Sequence, residues 1–495
     1  MAFRLGLAAL SGLLTYFAFP SVGAWPLAFV AWAPLLLALR GETPKRAAAI
    51  GLFAGLFATL PAFQFLYPVL RNESGLGAFW VALIVLLVAL YHALRGLFVG
   101  VSAQFLAKGT HVSTVGFVAG LVASELLIPS LFPWYFANCV HSVPLFVQPA
   151  ELVGPTGVSA ILGLSSIALA ETIAAWSEHR RARPWVMVVS LGVPICAAFW
   201  SSIRIPQIDA LAASSPSSKA AIVQPNLARG GEVEILSVHR EATEDLRTQG
   251  ADFVVWAEGA LPWVVPASLA EPTFEMLRLP DVPLLTGAIV QNDPQNEKRG
   301  RVANSALFFD QKKLVGRYDK HHLLPFSETL PFEKELPWLR TLSPHSGDFE
   351  PGVHVSPTHF RDHTVAVFIC YEDLFPSHVR KLNQNGDVDL LINLTNDSWF
   401  MGTFEPTVHL ALAKMRAVEQ RKYLVRATLT GQSAVIDPVG RVVGTIADNE
   451  RGTLARDIRW MRETTLYARW GDLPAYLFVV LSAAYLVAKR RTLNG

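Results

Sequence analysis

Seven apolar stretches follow one another in the first two hundred residues, at about 5–19, 25–39, 47–69, 79–101, 115–131, 157–176 and 185–203, and an eighth closes the chain at 473–488. Runs of this length and apolarity are what a bilayer asks of a spanning helix, so a single soluble core is excluded for this part. Charge makes the same division. Residues 1–200 carry 16 Asp, Glu, Lys and Arg with no Asp, and the remaining 295 carry 66, about 8% against 22%. So apolar a chain is not disordered. A net charge of +2 excludes the basic excess of a nucleic-acid binder. The three cysteines, Cys139, Cys196 and Cys370, have no CxxC spacing, which argues against a disulfide framework and a zinc site. No cofactor is implied.

Short cytoplasmic loops gather Lys and Arg. With the N-terminus inside, the inside set is Arg4, Arg40, Lys45, Arg46, Lys108, Arg180, Arg181, Arg183, Lys489, Arg490 and Arg491, while the outside short loops hold Arg71 alone. Eight spans then leave both termini in the cytoplasm and put residues of about 204–470 on the outer face, as in a bacterial inner membrane with a periplasmic domain. Trp470 and Tyr476 suit interfacial anchors for the last span. The expected division is a seven-span membrane domain at 1–204, an extramembrane catalytic domain at 205–470, and an eighth span with its tail at 471–495. Arg95, Glu125 and Glu171 fall in or near spans; they mark either a polar path or pairing between helices.

From Lys219 short β-rich runs appear at 220–223, 253–256, 284–290, 305–309, 365–369 and 390–394, alternating with helical stretches at 235–248 and 409–423. Residues 433–446 read as a hairpin around Asp437-Pro438-Val439-Gly440. This pattern predicts a layered α/β domain. Glu258 follows Phe-Val-Val-Trp-Ala, Lys320 follows Leu-Val-Gly-Arg-Tyr-Asp, and Cys370 follows Val-Ala-Val-Phe-Ile. Strand ends are where sites on α/β sheets gather. A lone cysteine is usually inert packing, an isolated lysine usually surface, and a buried acid usually paired. Together the three make a nucleophile, a cation able to favour thiolate and to stabilise an oxyanion, and a base raised by burial.

Trp-Ala-Glu258, Tyr-Asp-Lys320-His-His-Leu-Leu-Pro-Phe-Ser-Glu328 and Ile-Cys370-Tyr371-Glu372-Asp, followed by Asn-Asp-Ser-Trp399-Phe, resemble in order and spacing the Glu-Lys-Cys triad of the nitrilase superfamily. Within it the Pro-Phe-Ser-Glu, Cys-Tyr-Glu and Asn-Asp-Ser-Trp-Phe steps, the N-terminal Phe-Ala-Phe-Pro-Ser-Val-Gly and the Phe132-Pro133-Trp134 step resemble the apolipoprotein N-acyltransferases, over nearly the whole chain. The resemblance implies a multi-pass helical bundle plus an αββα sandwich. It also implies transfer of an acyl chain from a phospholipid, phosphatidylethanolamine in the first instance, through a thioester on Cys370 to the α-amine of a diacylglyceryl-cysteine apolipoprotein. Glu258 would be the base, Lys320 the oxyanion and positioning cation, and the Tyr371 N–H an oxyanion donor. Glu328 would sit beside Lys320, and Tyr371, Glu372 and Trp399 would shape the pocket. Two lipid substrates explain a tethered domain whose mouth meets the outer leaflet. Residues 261–266, Trp338-Leu339 and Trp399-Phe400-Met401 are candidate lids over acyl chains, with core packing as the alternative.

Departures from the family pattern are Ala257 in place of Pro, no Trp soon after Gln224-Pro225-Asn226, Met401 before Gly402, and Leu429-Thr430-Gly431 in place of Asn-Asn-Gly. They leave substrate preference open. The competing readings are a membrane-tethered amidase or nitrilase that uses water as acceptor, and a transporter or scaffold with a degenerate domain.

Overall fold

The computed structural model describes residues 1–105, 111–227, 231–292, 302–342 and 346–494, so Lys108 lies outside the described residues. The chain divides into a helical unit, Met1–Arg71, Leu76–Pro206 and Trp470–Gly495, and a second unit, Asn72–Gly75 and Gln207–Arg469.

Among the described residues of the helical unit, three helices are long and apolar enough to cross a membrane: Ala78–Gln104, Ala150–Ser177 and Pro184–Ser214. Pro44–Ala62 and Leu66–Glu73, bent by 57° at their junction, pass together as a fourth. The other segments expected to span are shorter, at Ala2–Ala18, Trp25–Leu39, Thr114–Leu127 and Leu473–Lys489. Proline explains much of the shortening. The stretch at 25–39 splits into a 3-10 turn and the short helix Ala33–Leu39, each with Pro in its first turn. Pro61 lies just ahead of the break after Ala62, and proline removes an intrahelical donor and crowds the preceding turn. Helices Pro44–Ala62 and Ala78–Gln104 meet through glycine. A Cβ at Gly51 would lie 2.2 Å from the Gly96 carbonyl oxygen, and one at Gly96 would lie 2.3 Å from that of Gly51. Backbones this close give apolar helices the dispersion contact that water does not drive in a membrane.

The second unit contains strands β1 (Ser217–Gln224), β2 (Phe253–Val255), β3 (Leu261–Pro266), β4 (Leu284–Gln291), β5 (Val302–Asp310) and β6 (Lys313–Asp319). It continues with β7 (Thr358–Phe360), β8 (His363–Ile369), β9 (Leu390–Thr395), β10 (Leu424–Thr428), β11 (Ser433–Ile436), β12 (Val442–Ile446) and β13 (Gly452–Arg459). One sheet runs β13-β1-β2-β4-β5-β6 with β3 also on β4, and the other runs β12-β11-β10-β9-β8-β7. The sheets face each other, β1 near β10 and β5 near β8. Helix Glu232–Thr248 lies on the first sheet, and Pro376–Gln384 and Glu405–Gln420 lie on the second. The central strands are buried along almost their whole length, as near-continuous Val, Ile, Leu and Ala runs require when both faces are covered. The α/β layering read from the sequence is therefore present, and it is αββα.

Residues 261–266, read as a lid or as core packing, form β3, parallel to β4 through Leu261 with Ala288 and Val265 with Val290, with Leu261 and Val265 buried and Val264 exposed. Of the other candidate lids, Phe400 is buried, whereas Trp338, Trp399 and Met401 are exposed.

Candidate active site

The second unit brings Glu258, Lys320, Glu328 and Cys370 to one end of the facing sheets, each on the segment that leaves a strand. Glu258 lies three residues past the end of β2. Its backbone passes so close to β4 that a Cβ at Gly287 would lie 2.5 Å from Ala257 O and 2.7 Å from Glu258 Cα, so only glycine fits there. Lys320 directly follows β6, and its N–H donates to Asn304 O on β5 at 2.8 Å. Cys370 directly follows β8 and has φ +50°, the left-handed region that a side chain with a Cβ rarely enters. Such strain persists only where the surroundings impose it, commonly at functional sites. Glu328 folds back in a loop whose root is closed by Gly347 N–H to Ser327 O at 2.7 Å and Phe349 N–H to Glu328 O at 3.1 Å.

Lys320 Nζ lies 3.3 Å from Glu258 Oε1 and 2.9 Å from Glu328 Oε1. Asn304 Nδ2 donates to both carboxylates, at 2.7 Å to Glu258 and 2.8 Å to Glu328. The Leu324 N–H holds the other Glu328 oxygen at 2.8 Å. All four side chains are buried. Burial favours the neutral form of Lys320, but Glu258 and Glu328 together outweigh it and raise its pKa well above the ordinary value. The ammonium is therefore permanent. Burial pushes the Glu258 carboxyl up, and Lys320 opposes it. The Cys370 thiol is pushed well above its usual value by burial and then by Glu258, with Lys320 opposing but not prevailing. Lys320 does favour the thiolate, as expected of a cation there, but burial outweighs it, so the thiol needs a base at the moment of attack.

Glu372 is wholly buried and does more than line a pocket. It accepts from the N–H groups of His321 at 2.6 Å, His322 at 3.0 Å and Ile369 at 2.7 Å, and from Tyr318 Oη at 2.8 Å. One carboxylate thus ties the segment after Lys320 to the turn that carries Cys370. Tyr371 is buried and its ring stands edge-on to Phe375 at 4.9 Å. Trp399 sits in the turn Ser398–Phe400 after β9 and is 38% exposed.

Beneath that turn lies an ion network that the sequence reading did not single out. His409 bridges Asp397 Oδ1 and Asp373 Oδ1, both at 2.9 Å, and Arg426 reaches Asp373 Oδ2 at 2.7 Å and Asp397 Oδ2 at 3.1 Å. Burial and Arg426 would lower the His409 pKa, but the two aspartates raise it to about 10. Asp397, Glu405 and His409 are spaced as metal ligands would be. Both imidazole nitrogens are already engaged, however, and Arg426 supplies the positive charge. The signals for these residues were visible: Asn304 and Arg426 are polar side chains inside apolar strands, where burial demands a partner.

Residues 219–465 match the carbon-nitrogen hydrolase family model, and 11–168 match the model of the apolipoprotein N-acyltransferase N-terminal domain. Glu258, Lys320 and Cys370 therefore stand in a carbon-nitrogen hydrolase domain, and that class defines the second unit. Relatives of the full length narrow it further. The chain is 28% identical to the apolipoprotein N-acyltransferase of Geobacter metallireducens, over 99% of this chain and 96% of that protein. It is 28% identical to that of Vibrio cholerae over 98% and 97%, and 29% identical to that of Pseudomonas syringae over 96% and 94%. With both models and these lengths matched, the chain belongs to the apolipoprotein N-acyltransferase family.

Proposed function

We propose that this enzyme is an acyltransferase that N-acylates the diacylglyceryl-cysteine of apolipoproteins, taking the acyl chain from a phospholipid such as phosphatidylethanolamine through a thioester on Cys370. The observation that carries the reading is the buried Glu258–Lys320–Glu328 cluster joined through Asn304, in electrostatic reach of a Cys370 held at positive φ.

In the first half-reaction Glu258 takes the thiol proton as Cys370 Sγ attacks the ester carbonyl, forming the C–S bond. The oxyanion that develops lies toward Lys320 and the Tyr371 N–H. Collapse breaks the C–O bond, and the leaving alkoxide takes the proton back from Glu258 to depart as a lysophospholipid. In the second half-reaction the lipoprotein amine attacks the thioester, Glu258 accepts its proton, and the sulfur leaves and is reprotonated as the amide forms. An α-amine with a pKa of about 8 is partly neutral near pH 7, so it needs only modest help. Covalent catalysis divides one difficult transfer into two easier ones. Glu328 holds Lys320 in place, Glu372 fixes the spacing of Lys320 and Cys370, and Trp399 is an exposed aromatic wall for an acyl chain.

The membrane reading belongs to the same proposal: eight spans in a bacterial inner membrane, both termini cytoplasmic, a membrane domain at 1–204, a periplasmic catalytic domain at 205–470, and the last span and tail at 471–495. The short helices would cross as parts of a bundle. The asymmetry of Lys and Arg between alternate loops supports the orientation.

Membranes containing the protein and a phospholipid labelled in its acyl chain should place a hydroxylamine-labile label on Cys370, and a diacylglyceryl-cysteine peptide should then move it to its amine. Cys370→Ala should abolish both, a loss of about 10³-fold or more. Label lost equally fast without the peptide identifies a hydrolase, and absence of label rejects the thioester.

A further inference from the structure

The buried ion network beneath the Trp399 turn is bonded to the segment that carries the nucleophile, and the chemistry above gives it no role. His409 and Arg426 each join Asp373 to Asp397, closing a ring of four side chains in which turning any one breaks two contacts. All four are buried. Buried charges persist where they are paired, so such a ring could stand anywhere in the core of the domain. Its place is what matters. Asp373 lies three residues after Cys370, in the 3-10 turn Cys370–Leu374.

That turn is tethered twice. At three residues per turn, neighbouring side chains leave a 3-10 helix about 120° apart. Glu372 leaves toward Tyr318 and His321, whereas Asp373 leaves toward His409 on helix Glu405–Gln420 and Arg426 on β10. One tether would let the turn pivot about it, and two on different bearings do not. A third hold reaches the nucleophile itself. Asn393 on β9 stands in register between Phe368 of β8 and Arg426 of β10. Its Oδ1 accepts from Arg426 Nη1 at 2.6 Å, and its Nδ2 donates to Phe368 O at 3.3 Å and to Cys370 O at 3.4 Å. The Cys370–Tyr371 peptide is planar and trans, so drawing its oxygen toward β9 turns the Tyr371 N–H the opposite way. A cysteine does not settle at φ +50° by itself, and these holds impose it.

We propose that Asp373 is a positioning residue for the acyl transfer: it carries the hold of Arg426 and His409 to the Cys370 turn and, with Asn393, keeps Sγ and the Tyr371 N–H facing the carbonyl under attack. The proposal rests on Cys370 being the nucleophile of the reading above, and on nothing about the lipid or the acceptor.

The probe is p-nitrophenyl butyrate, an activated ester that needs no lipid site, mixed with the full-length protein in phospholipid nanodiscs. Attack by Cys370 forms the C–S bond and breaks the C–O bond, the thiol proton passes to Glu258, and the initial burst of p-nitrophenolate reports the step. Cys370→Ala supplies the baseline. Asp373→Ala is expected to slow the burst by about 10²-fold, the effect of misplacing reacting groups by about 1 Å, with KM for the ester unchanged. Asp373→Asn, which keeps the shape and the bond from Arg426, should recover part of that rate. Should Asp373→Ala fail to fold, Asn393→Ala leaves the ring closed, releases Cys370 O and should slow the burst as well. Leu246→Ala truncates the buried core beside helix Glu232–Thr248, and should lower the melting temperature of the same unit while leaving the burst rate unchanged. A wild-type burst in Asp373→Ala, or an equal loss in Leu246→Ala, overturns the proposal. A normal burst in the unaltered protein with no transfer from phospholipid to a diacylglyceryl-cysteine peptide rejects the acyl-transfer reading and leaves the Asp373 comparison standing.

Discussion

The two units treat buried charge in opposite ways. In the helical unit, charge is sparse and is quenched locally: Glu171 is held by Arg180 at 2.8 Å and Arg183 at 2.9 Å, and Arg204 holds Glu151 at 2.7 Å. Cohesion comes from close backbone approach, as at Gly51 and Gly96. In the catalytic unit, Lys320, Arg416, Arg421 and Arg426 are among the largest fully buried side chains. Ionised groups there form networks in which each serves two or three partners. The lesson is one of solvent. A lipid-facing bundle gains from removing side chains, whereas a domain that must hold a base, a cation and a thiol in fixed positions gains from tying charges together, at a desolvation cost that only complete pairing offsets.

This contrast can be broken at several points. Arg426→Met leaves Asp373 and Asp397 with His409 as their one cation and should destabilise the catalytic unit by about 3–5 kcal/mol, the usual loss when one partner of a buried pair is removed. Denaturant unfolding monitored on that unit, with no change in the helical unit's proteolysis pattern, checks it. Glu372→Gln keeps the size but weakens the grip on three backbone N–H groups. Thioester formation should slow by about 10²-fold, the effect of displacing reacting groups by about 1 Å, while the protein still folds. A wild-type rate of label transfer would sink the positioning role. Gly96→Val forces two helices apart and should cost about 1–3 kcal/mol in the helical unit alone, read as a lower melting temperature in nanodiscs. The smallest effect belongs to Glu244→Gln at the exposed pair with Arg247, which should change stability by less than about 0.5 kcal/mol. A loss as large as that from Arg426→Met would erase the distinction between the two kinds of ion pair.

Much of this was legible in the sequence. Each of the six β-rich runs corresponds to a strand, because buried strands announce themselves as short Val, Ile, Leu and Ala runs. Glu258, Lys320 and Cys370 stood out because each follows such a run, and the structure brings them into one site. What stayed hidden depends on partners distant in the chain. Leu261–Pro266 reads as a lid or as core until β4 is present to pair with it as a strand. Asn304 is 46 residues from Glu258 and 24 from Glu328, and nothing local marks it as their common donor. The burial that raises the Cys370 thiol likewise appears only when the elements around it assemble. The helical segments were located well but their lengths less so, because proline ends a helix within a stretch whose apolarity continues.

The closed root of the Lys320 loop has one more consequence. Gly347 and Phe349 seal it against Ser327 and Glu328, and Glu372 has already fixed its start at His321 and His322. Residues 330–342, with Phe332 and Trp338 exposed upon them, hang outside that seal. Insertions, deletions or grafts there leave in place the hydrogen bonds that space Lys320, Glu328 and the Cys370 turn. For a designer this is the segment whose length can be varied without rebuilding the catalyst.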